Sequence, residues 1–163
     1  PRHVREHFPD GDFAIWTAPA TQSWLEMASH RRLVAADIVL AATGLGRDPV
    51  IGLDTHRDGL RHSRVDRASR HRTEIEVFTT AKDRDGVLVL GRGLVGRREM
   101  AFEVDAVRRG EGVGRSLAHA ARCLTPTDEI IWAQVAPANA ASLRALLAAG
   151  FVPVCSENLL VPV

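Results

Sequence analysis

The chain has 163 residues, enough for one domain with a sizeable core and too few for two ordinary ones. Its 21 basic and 20 acidic residues nearly cancel to a net charge of +1, which excludes the global positive field of a dedicated nucleic-acid binder, so charge has to be read locally. The two cysteines, Cys123 and Cys155, stand at no metal-ligand spacing and in no small disulfide scaffold, so buried, reduced thiols in a cytoplasmic protein are expected.

In chain order, Pro9-Asp10-Gly11 is a turn signal, and Phe13–Thr17 has the β-branched and aromatic character of a first strand. Thr21 suits the cap of a helix over about Gln22–Ala36, with Trp24, Leu25 and Ala28 on one face. The apolar run Leu33–Leu45 is interrupted by Asp37 and is too short to cross a bilayer, and no basic-then-apolar leader precedes it, so no membrane partner is expected. Asp37–Ala42 reads equally as an extension of the helix or as a new element.

Residues 44–72 show no clear period beyond a short strand at Pro49–Leu53. Arg57, Arg61, Arg64, Arg67, Arg70 and Arg72, with His56, His62 and His71, are interleaved with Asp54, Asp58 and Asp66, and no aromatic side chain stands among them. That composition reads as a solvated loop or helix face rather than a strip for nucleic acid. The histidines lack ligand spacing, so no metal is assigned.

Thr73–Thr80 and Val87–Leu90 flank the turn Asp83-Arg84-Asp85-Gly86 and predict a hairpin. Gly91-Arg92-Gly93-Leu94-Val95-Gly96 then fits a dinucleotide-binding fingerprint, but the residues that follow it are strand-like where that fold needs a helix. A hairpin or bulge in an antiparallel pair explains these glycines better. In the next strand, period two sends Glu99, Ala101, Glu103, Asp105 and Val107 to one face and Met100, Phe102, Val104 and Ala106 to the other, which makes one face acidic.

Arg109-Gly110-Glu111-Gly112-Val113-Gly114-Arg115 joins that strand to a helix over about Gly112–Leu124, with Val113, Leu117, Ala121 and Leu124 as its apolar stripe. Glycine-rich backbone at a helix N-terminus lets N–H groups approach an anion, and the helix dipole adds about half a positive charge. The segment reads as a phosphate cradle. Ile130–Val135 is a buried-looking strand, reached by a crossover that makes it parallel to its neighbour. Asn139 caps a last helix that Gly150 terminates, and Phe151–Cys155 with Asn158–Val163 are expected as a final pair of strands.

The order Arg109-x-x-Gly112-x-Gly114, strand, Pro137-Ala138-Asn139-Ala140-Ala141-Ser142, then a helix ending Ala149-Gly150-Phe151 resembles the GNAT superfamily of acyl-CoA-dependent N-acyltransferases over residues 86–155. The resemblance implies a single mixed α/β (α+β) domain over 1–163. Its central sheet would be mostly antiparallel, splayed at the acyl-CoA site and flanked by helices, with 1–72 as a divergent acceptor-side half and 73–163 as the acyl-CoA-binding half. It implies acetyl-CoA as co-substrate, with its pyrophosphate on the amides of Gly110, Gly112, Val113, Gly114 and Arg115 and added charge from Arg109 or Arg115. The pantetheine arm would run along Val104, Ala106 and Val107, with Asn139 and Ser142 beside it.

The implied reaction is acyl transfer to a small-molecule or peptide amine, in a protein for which a homodimer is left open. Glu103 is the first choice of base and Asp105 the second, because a lysine-like amine has to lose a proton at a cost of about 4–5 kcal/mol at pH 7. The amides near Ala106 and Val107 would polarise the thioester carbonyl. One departure stands out: where the family often has a tyrosine proton donor this chain has Leu146, and it contains no tyrosine at all. A catalytically weak acyl-CoA-binding module is therefore the second expectation, with Ser142 or water as a substitute donor in the first.

Overall fold

A computed structural model describes residues 18–34, 36–56 and 59–163. The expected strand at Phe13–Thr17 lies outside the described residues, as do Arg57 and Asp58. The described residues group into two compact units, one comprising those from Ala18 to Ala36 together with Glu157–Val163, the other those within Asp37–Ser156.

In the first unit, α1 (Pro19–Ser29) begins on a proline, whose missing N–H is no loss in the first turn. Its cap residue is Ala18; Thr21, expected there, is buried inside the helix. The helix ends at His30 in a left-handed conformation, well short of the expected Ala36. β1 (Arg31–Leu33) follows and pairs antiparallel with β9 (Leu160–Pro162).

In the second unit, β2 (Asp37–Thr43), β3 (Leu53–Thr55), β4 (Thr73–Thr80), β5 (Gly86–Arg92), β6 (Arg98–Val104), β7 (Ile130–Val135) and β8 (Val152–Glu157) form one sheet in the order β3-β4-β5-β6-β7-β2-β8. The stretch left ambiguous at Asp37–Ala42 is thus a strand. It lies between β7 and β8, which adjoin in sequence. Both strands of the expected final pair form, but they lie in different sheets, β8 in the large one and β9 in the small one. The hairpin over 73–90 and its antiparallel extension into β6 form as expected, and Leu94–Gly96 is a 3-10 turn between β5 and β6. A Cβ on Gly93 would collide with the Glu99 carboxylate, which accounts for one glycine of the false fingerprint.

Helices lie on both faces of this mostly antiparallel mixed sheet. α3 (Val113–Cys123) and α4 (Ala140–Ala148) cover one face, where Leu117, Ala121, Leu146 and Phe151 meet Leu40, Leu88, Leu90, Met100 and Ile131. The other face has a smaller core, in which Val65 and Ala68 of α2 (Ser63–Ser69) pack on Val77, Val87 and Val89. Apolar residues that alternate along β4 and β5 supply both cores, Phe78, Leu88 and Leu90 the larger and Val77, Val87 and Val89 the smaller, so the hairpin is covered on both faces. Cys123 is buried as expected, whereas Cys155 on β8 is exposed. Among the described residues no helix is long and apolar enough to cross a membrane.

Candidate functional site

The site begins where β6 and β7 part. Their parallel pairing covers Arg98↔Ile131, Glu99↔Trp132 and Met100↔Ala133 and then stops. Each strand nevertheless keeps its other neighbour: Ala101–Val104 stay paired with β5, and Gln134 and Val135 stay paired with β2. Two strands that hold their outer partners and release each other form a fork, and its open end leads into the glycine-rich loop.

β6 ends at Val104, and Ala106–Arg108 is a 3-10 turn. The acidic strand face is therefore shorter than its period-two extrapolation. Asp105 and Val107 are corrected off it, with Asp105 exposed at the head of the turn and Val107 84% exposed. The Asp105 N–H still donates to Asp85 O at 2.8 Å, in register with the β5–β6 ladder, and the Arg108 N–H donating to Asp105 O at 3.0 Å then turns the chain off the strand direction. Ala106 and Val107, first in the turn, have no acceptor within it for their N–H groups.

Gly110 and Gly112 both hold positive φ, 88° and 85°, a conformation that a Cβ strains. Gly112 is the cap of α3, and the first intrahelical bond runs from Ser116 N–H to Gly112 O at 3.0 Å. The amides of Val113, Gly114 and Arg115 thus open the helix without intrahelical acceptors. Nothing lies within 4 Å of a Cβ position on Gly110, and on Gly112 only Arg115 Nη2, at 3.9 Å, comes near. Gly114 faces inward instead, where a Cβ would stand 3.1 Å from Phe102 and seat the helix less closely on β6. The loop mouth is open, with Arg115 leaning over it.

The Arg109 Nε donates to Val104 O at 3.3 Å at the end of β6. The neighbouring Arg108, which carries no sequence signal beyond its charge, is the fastener of the loop. It bonds Glu111 at 2.8 Å, Asp85 at 2.8 Å and Asp83 at 3.2 Å. Asp83 and Asp85 had been read only as turn formers; their alternation opposite a later arginine was the signal. By holding Glu111, Arg108 also neutralises the one carboxylate within the loop, which would repel an incoming anion. Asn139 Oδ1 accepts from Ser142 N–H at 3.1 Å and caps α4, so these two residues meet each other as a helix cap requires. Leu146 is 1% exposed, within the larger core.

The face of β6 opposite α3 is acidic by sequence but not in its electrostatics. Glu99, the first carboxylate of that face, is 5% exposed. Its carboxylate accepts from Arg97 Nε at 2.6 Å, Arg72 Nε at 2.9 Å and Leu94 N–H at 3.4 Å. Burial alone would raise its pKa, but the Arg97 hydrogen bond and the charges of Arg72 and Arg97 outweigh that and hold the carboxyl below its ordinary range. Glu103 accepts from Arg64 at 3.3 Å and remains 38% exposed at the side chain. The Arg97 guanidinium also lies 5.5 Å from the Trp132 ring centroid. In the sequence Arg64 and Arg72 read as part of a solvated strip; α2 and the turn that joins it to β4 instead carry them onto the fork. Among the described residues no cluster of His, Cys, Asp or Glu suits a metal ion. Compared with known proteins, no family model matches this chain and no curated protein matches it.

Proposed function

We propose that the chain is an acyl-CoA-dependent N-acyltransferase of the GNAT kind, acting on an amine through direct attack in a ternary complex. The observation that carries this reading is the fork: pairing between β6 and β7 ends at Met100↔Ala133, and the strand that leaves it passes through one 3-10 turn into an open, positive-φ loop at a helix N-terminus. Acetyl-CoA, when bound, supplies the activated acyl group. The amides of Val113, Gly114 and Arg115, with the Arg115 side chain, hold its pyrophosphate. The arm follows the unpaired edge of β6 toward Val104, where Arg109 gives up the carbonyl it bonds in the free protein. The amine nitrogen forms the new C–N bond as the C–S bond breaks, its proton passes to Glu103 directly or through water, and the thiolate leaves. Amides of Ala106 and Val107 face the carbonyl oxygen.

Gly112→Val is expected to weaken acetyl-CoA binding at least tenfold in calorimetric titration, because it puts bulk into the mouth and strains a residue at φ 85°. The strain itself is worth about 1–2 kcal/mol, so a melting curve accompanies the titration; full affinity in the folded variant would refute the cradle. Arg108→Ala is expected to weaken acetyl-CoA severalfold by releasing Glu111 beside the phosphates, an effect that the double variant Arg108→Ala/Glu111→Ala should reverse in the same titration.

A second reading, an acyl-CoA-binding module without turnover, is favoured by Leu146, whose hydrocarbon side chain offers no proton donor. Titration with acetyl-CoA followed by thiol release over a panel of amines separates the two: binding with no release on any amine supports the module, and absence of binding removes both.

A further inference from the structure

On the reading that the fork is the acyl-transfer site, we infer that the acceptor is an amine bearing a carboxylate, as an α-amino acid does, and that Arg72 holds that carboxylate. Both carboxylates on this face of β6 are already engaged by guanidiniums, Glu99 by Arg72 and Arg97 and Glu103 by Arg64. What the fork presents to an incoming molecule is therefore cationic, and a purely cationic acceptor meets no unengaged counter-charge there.

Arg72 is the least satisfied of these arginines. Its Nε bonds Glu99, but its Nη2 reaches Met100 O and Gln134 Oε1 only at 3.5 and 3.4 Å, and its Nη1 is buried without a hydrogen-bond partner. Met100 is the last residue of β6 paired with β7, and Gln134 is the first residue of β7 beyond that pairing. The guanidinium thus stands in the crotch of the fork with its second amino edge lacking a good acceptor. A guanidinium edge matches the two oxygens of a carboxylate, and such charge-assisted pairs are shorter and stronger than the contacts Arg72 makes here. The Gln134 amide oxygen is the ligand's stand-in: a neutral acceptor on a half-buried side chain, at a long distance, which the carboxylate displaces to reach Nη1 and Nη2.

The test pairs α-amino acids with their own amides as acceptors, reading kcat/KM by thiol release, with acetyl-CoA affinity measured separately by calorimetry. The wild-type protein is expected to prefer the acid over the amide by at least tenfold. Arg72→Gln is expected to bring that ratio toward one, and Gln134→Ala to lower KM for the acid by removing its competitor. Because the wild-type ratio needs no variant, the inference stays exposed even if Arg72→Gln fails to fold. Acetyl-CoA binding and turnover with amides equal to or better than acids overturns the carboxylate assignment and leaves the acyltransferase standing. Loss of acetyl-CoA binding in the wild-type protein overturns both.

Discussion

Replacing Glu99 by alanine is expected to destabilise the Asp37–Ser156 unit by about 3–5 kcal/mol, the usual range for removing one partner of a buried ion pair. The substitution takes from Arg72, 11% exposed, the carboxylate at 2.9 Å, and from Arg97, 14% exposed, a partner at 2.6 Å. Both guanidiniums remain charged at any ordinary pH, so neither can escape the loss by neutralising. The effect should contrast with Arg64→Ala, which breaks a pair a third exposed on each side and should cost about 0–1 kcal/mol. Urea unfolding of the two variants at pH 7 checks both values. The pH dependence has a fixed sign: the folded-state pKa of Glu99 is depressed, so its stabilisation is fully present above the unfolded value of about 4.3 and is lost as pH falls through the folded value. A wild-type protein that lost no more stability on acidification than Glu99→Gln would show that the carboxylate does not couple to folding.

Glu103→Gln is expected to lower kcat by about 10²–10⁴, the range for a positioned general base, with acetyl-CoA affinity retained. Glu103 is the one carboxylate on the forked part of β6 that combines the right face with access to solvent; Glu99 has the face without the access, and Asp105 the access without the face. Asp105→Asn should accordingly leave turnover near that of the parent. Single-turnover thiol release with a saturating amine reads the chemical step for both variants. If Asp105→Asn were the one that slowed, the proton would leave by way of the 3-10 turn, and the role assigned to β6 would move there.

The parts of this fold set by local pattern were legible. Val77, Val87 and Val89 alternate within one hairpin, the stripe Leu117–Ala121 has helical period, and Gly112 marks the start of α3 by the conformation it alone adopts cheaply. The parts set by partners distant in sequence were not. Asp37–Thr43 is apolar on both faces because it lies inside a sheet, and that composition fits a buried helix segment equally well. Arg64 and Arg72 look like solvated charge in sequence, and only the packing of α2 through Val65 and Ala68 turns them toward Glu103 and Glu99. The extrapolated strand face failed at Asp105 because a 3-10 turn over Ala106–Arg108, closed by the Arg108 N–H on Asp105 O, takes the chain off the strand direction there, right after the last contact with β5.

The insertion of β2 between β7 and β8 has a kinetic consequence. β7, α4 and β8 are contiguous in sequence and can nucleate together, but β8 has no place in the sheet until residues from the opposite end of the unit arrive to separate it from β7. Closing so long a loop precedes any contact that rewards it, so this seam should be the last to zip during refolding and the first to breathe at equilibrium. Amide protons of β2 should then exchange ahead of those in the β4–β5 hairpin, even though Val39 and Leu40 are as deeply buried as any residue in the hairpin.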